Sequence, residues 1–139
     1  TRKESSAASD VYKRQVQIGT RFALTEESSA SSVFKDYCLS LREGDTKLLL
    51  KKLAPTRLVK NAFREAVEKA EDSGASSEDL RTLLGRGRAK KGIFEGDLEE
   101  GELEIGQVSA IISRRQSVAE VMNELVAAYQ RAAKKDYLF

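Results

Sequence analysis

Three stretches of the chain hold residue types and spacings that could do chemistry: VQIGT at 16–20, GRGRAKKG at 85–92 and EGDLEEGELE at 95–104. In the first, an apolar run passes straight into Gly19 and Thr20. Glycine supplies a turn and threonine caps whatever follows. The same pair could also serve a phosphate, because a bare α-carbon lets backbone N–H groups approach an anion and a hydroxyl adds a donor. The second stretch carries Arg86, Arg88, Lys90 and Lys91, charges that a phosphate or an RNA backbone would attract. No aromatic side chain interleaves them. The carboxylates Glu95, Asp97, Glu99, Glu100, Glu102 and Glu104 follow directly, so the two runs are expected to neutralise each other on a solvated surface. The acidic run does not follow the D-x-[DN]-x-[DN]-G spacing of a calcium loop, and no metal site is assigned to it.

Composition narrows the chemistry further. The 139 residues contain no histidine and one cysteine, Cys38. Ser–His and Cys–His pairs and a structural zinc site therefore cannot be assembled from this chain. No catalytic residue is assigned within it. The charge is near balance, with 24 basic and 22 acidic residues and a net +2, so neither nucleic acid nor a membrane surface is an expected partner. No apolar run approaches the ~20 residues that cross a bilayer. No signal pattern opens the chain, and a lone cysteine fits a reducing compartment, so the expected location is the cytoplasm.

The elements that must position these residues can be placed from periodicity. Residues 1–15, TRKESSAASDVYKRQ, are polar and aperiodic. SAASDVYKRQ resembles a translated linker tail, and 1–15 are expected to be non-native, with the domain running over 16–139. Val16 to Phe22 reads as a short strand leading into a loop. From Val33 the apolar positions keep helical spacing, and Gly44 is expected to end that helix. TKLLLKKLAP (46–55) reads as an extended connector stopped by Pro55. A helix is expected over 58–72, with Val59, Ala62, Phe63, Ala66, Val67 and Ala70 as its stripe. A shorter one over 76–85 has Ser76 and Asp79 as a capping box, and IGQVSAIIS (105–113) reads as a short apolar helix. The last helix, 117–133, has Ser117 and Glu120 at its start and Val121, Met122, Leu125, Val126, Ala128 and Tyr129 on its buried side.

VQIGTRF, RLVKN (57–61) and FEGDLEEGELEIGQVSAII (94–112) occur in an order that resembles the C-terminal part of one flavoenzyme family. That family is the nitronate monooxygenases (2-nitropropane dioxygenases), which includes the flavin-dependent enoyl-acyl carrier protein reductase II. The resemblance implies an α/β fold: the C-terminal part of a TIM (β/α)8 barrel, with this piece itself mostly α-helical and carrying one or two short strands. It implies FMN as cofactor, its phosphate on Gln17, Ile18, Gly19 and Thr20, with Gln107 near the substrate pocket. The parent would oxidise alkyl nitronates with O2, or reduce enoyl thioesters with NAD(P)H. The full-length parent is expected to be a homodimer acting on small molecules.

A barrel of this kind takes roughly 250 residues, so this chain is expected to be incomplete and inactive alone. Apolar faces should then stand open where barrel strands are missing. A small helical interaction module without a cofactor stays open as the alternative.

Overall fold

The fold, given by a computed structural model, is described for residues 15–134. The expectation for the tail 1–15 falls, except for Gln15, outside those residues. Five α-helices and two strands succeed one another as α1 (Thr20–Ala23), α2 (Ser32–Leu39), β1 (Thr46–Leu49), β2 (Thr56–Val59), α3 (Ala62–Asp72), α4 (Ser77–Leu84) and α5 (Val118–Ala133). Between α4 and α5 lie a π-helical turn, Lys90–Phe94, and a 3-10 turn, Gln107–Ile111. The piece is thus mostly helical with two short strands.

Local caps set most helix starts. Ser31 accepts from the Phe34 N–H, and Asn61 accepts from the Arg64 N–H at 2.9 Å. Ser76 with Asp79, and Ser117 with Glu120, form reciprocal capping boxes. Each satisfies donors that a helix start would otherwise leave unpaired.

β1 and β2 form an antiparallel hairpin with Thr46 opposite Val59 and Leu49 opposite Thr56. Successive side chains of a strand face opposite ways, and here that alternation separates two cores. Leu58 joins Leu49, Leu50, Phe63, Val67 and Leu80 on one side. Val59 joins Leu24, Phe34, Cys38, Leu41, Leu103, Ile105 and Ile112 on the other. Burial pushes the Cys38 thiol up to about 12, which makes it an inert packing group.

The hairpin corrects two expectations. Residues 46–49 are strand rather than connector, and TRLV (56–59) is strand where a helix from 58 was expected. Helix α3 begins only at Ala62, so its buried stripe shrinks to Phe63 and Val67 with Ala70 half-covered, while Ala62 and Ala66 are exposed. The cause is pairing across the hairpin, which a local period does not report. Helix α2 ends at Leu39 with Ser40 as its cap, ahead of Gly44, which instead takes a positive φ in the following turn. IGQVSAIIS yields one 3-10 turn instead of an α-helix.

The basic and acidic runs do neutralise each other. Lys91 pairs with Asp97 at 3.0 Å, Arg88 with Glu100 at 3.6 Å and Lys90 with Glu95 at 3.7 Å. Asp97 Oδ1 also accepts from the Glu99 and Glu100 N–H groups, folding EGDLEEG into a tight turn. That turn crosses over Gly92 so closely that a Cβ on Gly101 would lie 2.2 Å from the Gly92 Cα. Arg88 does structural work as well: its guanidinium lies 4.4 Å from the Phe63 ring centroid and donates to the Leu83, Leu84 and Glu100 carbonyls.

Helix α5 is the longest element, with 16 residues. The Glu27 carboxylate accepts from its first N–H group, and the Glu26 N–H donates to the Gln116 carbonyl. Both contacts pin the helix to the loop before α2. Buried Lys35 holds that loop from beneath, donating to the Glu26 and Ser28 carbonyls at 3.1 and 2.7 Å. Desolvation, then the nearby Arg115 charge, lower its pKa. Of the stripe expected to be buried on α5, Val121 is buried and Leu125 half-buried. Met122, Val126, Ala128 and Tyr129 are exposed. Their spacing defines a face, but no element among the described residues covers it. No helix among the described residues is long and apolar enough to cross a membrane.

Candidate functional site

The expected Val16–Ile18 strand is not formed. Residues 15–19 lie outside any ladder, and Thr20 already belongs to α1. A strand needs a neighbour to take its N–H and C=O groups, and the described residues offer none here. What the stretch does form is a sharp entry into α1. The Gly19 carbonyl accepts from the Phe22 and Ala23 N–H groups at 3.0 and 2.9 Å. Gly19 has φ −103°, open to any residue, and a Cβ placed on it would meet nothing within 4 Å. Among the described residues, the Gly19 and Thr20 N–H groups donate to no acceptor of the chain.

Thr20 meets the other motif. Its Oγ1 accepts from the Gly106 N–H at 2.9 Å, joining QIGT to IGQ. A Cβ on Gly106 would lie 2.3 Å from that oxygen, so glycine is required there for closeness and not for its φ of −71°. Because Oγ1 is the acceptor in this bond, the hydroxyl proton is left to donate elsewhere.

Thr20 and Gly106 share a hollow of about 410 Å³ with Ala23, Arg57, Glu104 and Ile105. β2 delivers Arg57, whose guanidinium donates at 3.3 Å to the Thr46 hydroxyl across the hairpin. The 102–105 segment reaches the same place by lying against β2. The Val59 N–H donates to the Leu103 carbonyl at 2.9 Å, and Glu104 bridges Leu58. Glu102, on the same segment, is buried. Desolvation, then the Glu104 carboxylate, push its pKa up to about 7. The hollow therefore brings one fixed cation, one hydroxyl donor and one exposed carboxylate into a small space.

The four residues of the expected phosphate segment do not line one cavity. Gly19 and Thr20 open toward free space and the hollow. Gln17 is exposed, and Ile18 turns to α5, where it lines an apolar groove with Leu125. Gln107 directly follows Gly106 but is exposed and does not line the hollow. Neither Arg57 nor Glu104 is among the site residues expected from the sequence. The legible signal for them was position alone, each lying within a motif already noted, RLVKN and EGDLEEGELE. Among the described residues no cluster of His, Cys, Asp and Glu could hold a metal ion.

The family profile described as nitronate monooxygenase matches residues 11–128. Among curated proteins none matches. The fold is similar to that of FabK from Thermotoga maritima, with 26% identity and a TM-score of 0.71 over 86% of this chain and 38% of that one. A mutant of the same FabK gives 23% identity and a TM-score of 0.70, over 86% of this chain and 35% of that one. The chain thus spans little more than a third of the solved structures that it resembles.

Proposed function

This chain belongs to the nitronate monooxygenase family, and from that premise we propose that it is the C-terminal part of an FMN-dependent oxidoreductase built on a (β/α)8 barrel. The observation that carries the reading is the Thr20–Gly106 hydrogen bond, which joins two separate motifs at one donor-rich hollow. Phosphate sites in such barrels are built by loops after the last strands, and the residues here fit one. Gly19 leaves an oxygen-sized approach free of side chain, and its N–H and that of Thr20 have no acceptor among the described residues. The Thr20 hydroxyl is held from behind by Gly106 with its proton directed elsewhere. Arg57 adds a positive charge at the hollow, and the Glu104 carboxylate opposes it.

FMN supplies the redox couple for the reaction, which passes electrons from an alkyl nitronate to O2 or from NAD(P)H to an enoyl thioester. This chain's own contribution is binding and orientation. Gly19 and Thr20 hold the phosphate end, and Gly106 fixes the rotamer of Thr20. We assign Gln107, next in the same turn and exposed, to the neighbourhood of the substrate.

The test compares FMN with riboflavin, which lacks the phosphate, by fluorescence titration of the full-length parent. Gly19→Val is expected to fold normally, since a Cβ there meets nothing within 4 Å. It should weaken FMN by about tenfold or more and leave riboflavin unchanged. An unchanged FMN affinity, or an equal loss for both flavins, would remove the phosphate role.

A further inference from the structure

The hollow beside Thr20 holds two opposite charges that do not pair. Arg57 and Glu104 both line it, yet among the described residues neither forms an ion pair with the other or with a third group. The neighbouring charges of 88–100 behave differently and settle in pairs, Lys91 with Asp97 and Arg88 with Glu100 among them. Strand register accounts for the separation. Glu104 stands opposite Leu58, and successive side chains of a strand face opposite ways. Arg57, one residue before Leu58, therefore starts from the other face of the ladder, and the two charges reach the hollow from two sides. Arg57 is also held in place. Its Nη1 group donates to the Thr46 hydroxyl at 3.3 Å and to the Thr46 carbonyl at 3.4 Å, while its Nε and Nη2 groups meet no acceptor among the described residues. A half-buried guanidinium thus keeps donors in reserve across a hollow from an exposed carboxylate.

Building on the flavin-phosphate reading of this site, we propose that Arg57 and Glu104 set its selectivity for a phosphate monoester as an opposed pair: Arg57 attracts the phosphate, and Glu104 keeps that attraction below its full strength. The other donors, the Gly19 and Thr20 N–H groups and the Thr20 hydroxyl, are neutral dipoles that act only at contact. Arg57 is the one basic side chain among the residues that line the hollow, so the attraction that reaches across it comes from this group. Empty, the hollow is neutral, since one cation faces one anion. A phosphate monoester brings a charge of about −1.5 to −2 at pH 7, and the loaded hollow then holds two negative groups against one positive. Glu104 is the member whose removal relieves that excess. The geometry therefore predicts opposite effects at the two positions, a loss of phosphate binding at Arg57 and a gain at Glu104.

The experiment titrates the flavin-free full-length parent and its variants with FMN and with riboflavin, followed by fluorescence, with circular dichroism melts as the control for folding. Arg57→Gln should weaken FMN by about tenfold or more, and Arg57→Lys, which keeps the charge, should recover most of that loss. Glu104→Gln should tighten FMN by about two- to fivefold. Riboflavin has no phosphate, and its affinity should move with neither change. Both effects should shrink between about 0.01 M and about 1 M salt, as the screening length contracts from roughly 30 to 3 Å. A packing role for either side chain would move the two flavins alike and ignore salt. Unchanged or weaker FMN binding by Glu104→Gln, or differences that salt does not reduce, would therefore overturn the proposal. If Gly19→Val weakens FMN while Arg57→Gln and Glu104→Gln leave it unmoved, the phosphate reading stands and the opposed pair alone is wrong. A parent that binds FMN no better than riboflavin would overturn both.

Discussion

The Gly106 N–H donates to Thr20 Oγ1 at 2.9 Å across a separation of 86 residues. Neither residue is unusual alone. Together they bring the turn before α1 and the turn after the acidic run into one site, each fixing the other's position.

That closeness predicts the behaviour of Gly106→Ala. The φ of −71° suits alanine, so the whole effect must come from the new Cβ, 2.3 Å from Thr20 Oγ1. The protein should lose about 1–3 kcal/mol through overpacking, read by chemical denaturation. FMN binding by the full-length parent should fall with it, because Thr20 is forced off its rotamer.

Thr20→Val keeps the volume and removes the hydroxyl. A charge-assisted hydrogen bond to phosphate is worth about 1.5–3 kcal/mol, so FMN affinity should drop roughly ten- to a hundredfold in the parent. Thr20→Ser should retain most of it. Flavin titration checks both, with riboflavin as the control.

Gly101→Ala should be the most damaging single methyl in the chain. Its Cβ would meet backbone on both sides, the Gly92 Cα at 2.2 Å and the Asp97 carbonyl oxygen at 2.4 Å. Backbone cannot turn aside as a side chain does. The cost should reach or exceed the upper end of the roughly 1–3 kcal/mol range for overpacking. Urea denaturation of the 139-residue chain reads it directly.

Glu102 predicts a pH dependence of stability. Its pKa rises from 4.5 to about 7 in the fold, so between those values the folded chain binds the proton that the unfolded chain has released. Stability from this group is therefore present below pH 4.5 and is lost as the pH rises toward 7. Glu102→Gln cannot titrate. It should flatten the melting-temperature profile across that window and raise the melting temperature at pH 8. Circular dichroism melts at a series of pH values check this, and an unchanged profile would show that Glu102 does not titrate there.

Much of the local structure was legible because its causes lie within one turn of chain. Ser76 with Asp79 and Ser117 with Glu120 are pairs three residues apart, and both helices begin where those pairs stand. The opposed charges of 86–104 likewise settle against one another within a short span. The three stretches that carry the family resemblance lie in the linear order of the chain and needed no fold to be seen.

What could not be read has a common cause in partners distant along the chain. TRLV at 56–59 is a strand because TKLL at 46–49 lies beside it. VQI at 16–18, equally rich in strand formers, pairs with nothing among the described residues. The period of α5 marks its apolar face, yet burial of Met122, Val126 and Tyr129 depends on a covering surface that the period does not contain. Thr20 and Gly106 meet by the same rule. Periodicity and capping act over a few bonds, whereas pairing, coverage and the closing of a site are energies between surfaces that folding must first bring together.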